Sequence, residues 1–130
     1  MQEPHEPWRR MLVPINQQGL EIDMLQMGDP CTGNFKEWAI TTEEMNSIIN
    51  SILFDYCKRF NVYIDSSEDC VLGKECIAEA LEMAKEFLQK CSTRFFQKRS
   101  KKEVLKRAVQ KLIEALEFAK STDMPIWFWF

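Results

Sequence analysis

Apolar and polar positions recur along this chain with two periods, and the switch between them marks out its elements. The stretch Met124-Pro-Ile-Trp-Phe-Trp-Phe130 is the most apolar, with six of its seven residues apolar and four aromatic. Alternation puts Ile126, Phe128 and Phe130 on one face and Trp127 and Trp129 on the other, so neither face is polar. A strand of that kind belongs inside a sheet covered on both sides. Near the other end, Arg9–Ile15 and Leu20–Met27 read as two short strands. Asn16-Gln-Gln-Gly19 would join them as a hairpin turn, with glycine supplying a positive φ. Pro14 places the end of the first strand there or puts the strand at an edge. Phe35–Ile40 and Asn61–Asp65 read as two further strands.

A 3.6-residue period takes over after Thr41. Thr41-Thr-Glu-Glu44 is a capping box. The apolar stripe Met45, Ile48, Ile49, Ile52, Leu53, Tyr56 and Phe60 then predicts one helix, with Phe54 almost opposite the stripe. Gly73 precedes a second, longer helix that buries Ile77, Ala80, Leu81, Ala84, Phe87, Leu88, Cys91 and Phe95. Directly opposite, Glu75, Glu79, Glu82 and Glu86 fall within a sector of about 60°, at 100° of turn per residue. Ser100-Lys-Lys-Glu103 is a second capping box, opening a third helix that buries Val104, Leu105, Ala108, Leu112, Ala115, Leu116 and Ala119. Ser121-Thr-Asp123 turns the chain into the terminal strand. The predicted fold is α+β. It is a single domain over residues 1–130 with a small, mostly antiparallel sheet, three main helices and a buried C-terminal strand. Residues 1–8 read as a flexible tail.

Composition narrows the class. At 130 residues the chain fits one domain, and no apolar run approaches the roughly 20 residues that span a bilayer. Met1-Gln-Glu-Pro-His-Glu-Pro-Trp8 is acidic and proline-bearing, unlike the basic and then apolar design of a signal peptide. Five cysteines, an odd number, include no C-x-x-C pair, and Cys57, Cys76 and Cys91 fall on or beside apolar helix faces. These features predict a cytoplasmic protein with free thiols. Oxidising surroundings would open a disulfide from Cys70 to another cysteine.

Catalytic machinery is missing from the pattern. A serine or cysteine nucleophile needs a base, and the one histidine, His5, sits in the acidic tail. Four scattered glycines form neither a dinucleotide fingerprint nor a phosphate loop, and no metal-ligand spacing is present. The chain therefore reads as non-enzymatic, without cofactor or metal.

Charge is unevenly laid out. Residues 1–92 carry 8 Lys+Arg against 16 Asp+Glu, a net of −8. Residues 93–130 carry 9 against 4, a net of +5, which restores the overall −3. The basic share gathers at Arg94, Lys98, Arg99, Lys101, Lys102, Lys106 and Arg107. Two solvated surfaces of opposite sign would account for this. So would an acidic surface that receives a basic protein, made of Asp65, Glu68, Asp69, Glu75, Glu79, Glu82 and Glu86 with Phe54 or Tyr63 as aromatic anchor. The alternative is a nucleic-acid-binding or regulatory domain that uses the Arg94–Arg107 cluster. Glu103 interrupts that cluster, however, and the pI of 5.3 is far from a basic footprint.

An acidic chain of this size that passes from Ala115-Leu-Glu-Phe-Ala119 into Met124–Phe130 resembles the small immunity proteins of bacterial polymorphic and contact-dependent toxin systems. The resemblance implies a cytoplasmic protein that binds one cognate toxin domain tightly and blocks it, without a membrane and as a monomer or a dimer. A nuclease is the kind of basic target an acidic surface suits, since it must hold phosphates. Immunity families have unrelated folds, so the likeness implies a role and carries no site residues with it.

Overall fold

The structure is a computed structural model and describes residues 9–21, 34–64, 70–93 and 99–130. The tail at 1–8, residues 22–27 of the expected second strand, and Asp65, Glu68 and Asp69 lie outside the described residues. The described elements are β1 (Arg10–Pro14), α1 (Gln17–Glu21), β2 (Phe35–Ala39), α2 (Thr42–Ile49) and α3 (Ile52–Phe60), then β3 (Cys70–Leu72), α4 (Lys74–Thr93), α5 (Arg99–Thr122) and β4 (Ile126–Trp129). The fold is α+β, as the two periods predict.

The strands form one antiparallel sheet in the order β2-β1-β4-β3. β4 is interior, with Phe128 opposite Met11 on one side and Cys70 on the other. Its alternation sorts its side chains as expected. Ile126, Phe128 and Phe130 join Met11, Val13 and Leu72 in the main core, beneath α2 to α5. Trp127 turns to the other face, where it packs with Leu12 and Phe35 in a smaller cluster flanked by half-buried Trp129. The Phe35 and Trp127 ring centroids are 4.9 Å apart.

Helix α5 occupies the centre of the helical layer. Ala108, Leu112, Ala115, Leu116 and Ala119 are buried in it, and Val109 joins them. Small residues on this stripe let α5 lie close to the sheet and to both neighbouring helices. At its end Asp123 takes a left-handed φ of 55°. The Met124 amide bonds back to the Ala119 carbonyl at 2.9 Å, and Pro125 then forbids further helix.

Five local expectations are corrected. Asn16–Gly19 forms no hairpin turn. Asn16 Oδ1 accepts from the Gly19 amide at 2.7 Å and opens the short helix α1, which also takes in Leu20 in place of a strand. Glycine is required there by a close approach and not by a positive φ, because an added Cβ would meet the Asn34 carbonyl oxygen. Gly19→Ala is therefore expected to cost about 1–3 kcal/mol, read by denaturant unfolding, through overpacking at a backbone that cannot yield. The expected strand Asn61–Asp65 does not form over its described part. Asn61 sits at φ 55° and ends α3 as a left-handed cap, with the Val62 amide bonding to the Cys57 carbonyl at 3.3 Å. A strand appears instead at β3, whose three residues are too short to show a period.

The first predicted helix is broken in two between α2 and α3. The stripe continues across the break, but Asn50 Nδ2 donates to the Asn46 carbonyl at 3.0 Å and Ser51 Oγ to the Ser47 carbonyl at 2.6 Å. Two successive side chains compete there for the helix's own acceptors. Ser51 leaves helical geometry at φ −136° and ψ −99°. Lastly, α5 begins at Arg99, which puts Ser100 inside the first turn and not at the cap.

Candidate acidic surface and its surroundings

Helix α4 presents the clearest charged surface. It buries Ile77, Ala80, Leu81, Ala84 and Cys91. Beside it, the buried Tyr56 of α3 donates its hydroxyl to the Ala80 carbonyl at 2.6 Å. With that side of the helix fixed inward, Glu75, Glu79, Glu82 and Glu86 are all exposed on the opposite side. Four carboxylates spaced along one helix face make a strip of negative potential with no nucleophile or base among them. Such a strip attracts and orients cations.

One member of the row has a partner. Arg59, in the last turn of α3, donates from Nη2 to Glu79 Oε1 at 2.9 Å. Both side chains are well exposed, so the pair is screened by water and holds α3 to α4 only weakly. Cys76 lies beside this pair, half-buried. Burial and the Glu75 and Glu79 charges push its thiol pKa up, and Arg59 opposes them.

The aromatic anchors stand apart from the row. Phe54 is 53 % exposed and carries Lys58 Nζ over its ring at 4.4 Å. Five residues separate Phe54 from Arg59, or roughly 140° around α3, so Phe54 points away from the side that reaches Glu79. Tyr63 is 63 % exposed in the segment after α3. It stands near Cys70, whose thiol pKa is raised by burial and by the Cys57 thiol and is lowered by a backbone hydrogen bond at Tyr63. The described residues therefore gather the glutamates on α4 and leave the two aromatics on another side. Cys57, Cys70, Cys76 and Cys91 are all free thiols.

The basic cluster is partly taken up by the fold. Arg94 and Lys98 lie outside the described residues. Arg107 Nε donates to Glu44 Oε2 at 3.2 Å, and Lys111 Nζ donates to Glu44 Oε1 at 2.9 Å and to the Ala39 carbonyl at 3.1 Å. Glu44 is fully buried, and its carboxylate also receives the Thr41 amide at 2.8 Å, while Thr41 Oγ1 accepts the Glu44 amide. The capping box expected from the sequence is thus present, and it is also the point where α2 is tied to α5. The sequence reading saw the local half of this arrangement and missed the long-range half. A signal for it existed in Arg107 and Lys111, four apart on one helix face.

Among the described residues no three His, Cys, Asp or Glu side chains are grouped to hold a metal ion, and no helix is long and apolar enough to cross a membrane. No family model matches the chain, and neither the curated proteins nor the solved structures contain a match to it.

Proposed function

We propose that this chain is a non-enzymatic binding protein that neutralises a cognate bacterial toxin, possessed of nuclease activity, by tight protein–protein association in the cytoplasm. The observation that carries this reading is the outward row Glu75, Glu79, Glu82 and Glu86, held on a helix whose other face is locked into the core. Rigid, like-signed charge speeds encounter with an oppositely charged partner and repels wrong ones. The likeness of size, charge and chain ending to immunity proteins supports the same role. Phosphate-binding surfaces are basic, which is why a nuclease suits such a row.

The test is biological first. A toxin gene should neighbour the gene for this chain, and co-expression should rescue cells from that toxin. Failure to protect would remove the proposal. At the level of residues, Glu82→Lys with Glu86→Lys spares the Arg59–Glu79 pair and reverses two charges. Association with the toxin domain, followed by stopped flow at low salt, should slow about tenfold and lose most of its salt dependence. An unchanged rate would take α4 out of the interface.

A further inference from the structure

The two edges of the sheet are finished differently. At the β2 edge, Lys36 and Glu37 are exposed, and Lys36 Nζ lies 4.9 Å from the Phe118 ring centroid. Lys111 bonds the carbonyl of Ala39, the last residue of the strand. Charged side chains on an edge strand, and a lysine on its backbone, are how sheets are kept from pairing with other chains. At the other edge, β3 reads Cys70-Val71-Leu72, with no charge, and no described strand pairs with its outer side. Val71 is 42 % exposed, a β-branched residue beside Trp127 on the smaller face of the sheet.

The charges missing from β3 stand around it in the sequence. Residues 61–79 contain Asp65, Glu68, Asp69, Glu75 and Glu79 against Lys74, a net of −4. Lys74 itself lies 3.6 Å from Asp123. A second copy of this chain would bring another such edge and be repelled. An extended segment bearing lysine or arginine would be attracted, and its backbone would find in β3 an edge without a gatekeeper.

We infer that β3 is a strand-addition site for an extended, lysine- or arginine-bearing segment of a partner protein, which pairs alongside Cys70–Leu72 with Val71 at its centre. The inference rests on the partner-binding reading for its biological meaning, but its test does not need the toxin. The probe is a ten-residue peptide of alternating valine and lysine, titrated at physiological salt with amide hydrogen exchange as the readout. Binding should slow exchange at β3 amides and leave α4 and β2 unchanged. Val71→Lys should weaken binding at least tenfold and Val71→Thr less than threefold, with both variants melting cooperatively. Glu82→Lys, a larger charge change away from the edge, should cost less than Val71→Lys.

Absence of peptide binding, protection on α4 in place of β3, or equal losses from Glu82→Lys and Val71→Lys would each overturn the site. So would protection of β3 that grows with protein concentration alone, since that would mark a second copy. A toxin that fails to bind, with the peptide result intact, would sink the immunity role and leave the edge site standing.

Discussion

Deletion of Trp127–Phe130 is expected to leave a chain with no cooperative unfolding transition, as followed by near-ultraviolet circular dichroism and urea titration. The loss is not that of a few contacts at a surface. β4 lies between β1 and β3, so its removal strips the ladder partners from both. Phe128 and Phe130, with ring centroids 5.6 Å apart, leave the main core, and Trp127 leaves the smaller one. A milder form keeps the prediction measurable. Phe128→Ala empties a fully buried position and should cost about 3–5 kcal/mol, a large part of the 5–15 kcal/mol that holds a typical domain together. A loss under about 1 kcal/mol would mean that the strand is peripheral.

Glu44→Gln is the second substitution with a large expected effect, and its sign depends on pH. Burial pushes the Glu44 carboxyl up, but the Lys111 hydrogen bond, the Thr41 amide, the Lys111 charge and the Arg107 hydrogen bond together outweigh it and leave the pKa below the ordinary value. A carboxyl with a lowered folded pKa stabilises the fold above its unfolded pKa, near 4.3 for a free glutamate. That contribution disappears as pH falls through the lower folded value. Breaking a buried pair on one side typically costs about 3–5 kcal/mol. Arg107 and Lys111 are both partly exposed and can return to water, so a loss of roughly 1–3 kcal/mol at pH 7 is expected. The gap between wild type and variant should stay level down to about pH 5 and narrow below about pH 4. A gap that widens in acid would show that the carboxyl is held protonated.

Legibility followed the range of the forces involved. The terminal strand was readable because both its faces are apolar, a pattern that few other environments tolerate. The buried faces of α4 and α5 were readable because seven or more apolar positions keep one period. Asn50–Ser51 was not, because the apolar stripe runs straight through it and the interruption comes from two polar side chains bonding backwards. β3 escaped because three residues carry no periodicity and the neighbouring Asn61 had to end a helix first. At the candidate surface, helical spacing alone placed the glutamate row correctly on an exposed side. It could not say that Phe54 faces elsewhere, since that depends on how α3 is rolled against α4, which the Tyr56–Ala80 bond decides. Nor could it tell that Arg107 is engaged by a glutamate 63 positions earlier.

The pairing at the middle of the sheet has a mechanical consequence. β1 and β4 come from opposite ends of the described chain and run antiparallel, with Arg10 opposite Trp129 and Leu12 opposite Trp127. Arg9 adds a bond from Nη1 to the Phe130 carbonyl, 121 positions away. The two attachment points thus sit side by side at one end of the ladder. Tension applied at residues 9 and 130 loads the bonds in succession, beginning with Arg9–Phe130, and never all at once. A fold whose interior strand makes it resistant to heat and denaturant is therefore soft in one direction, and opens like a zip when drawn by its ends.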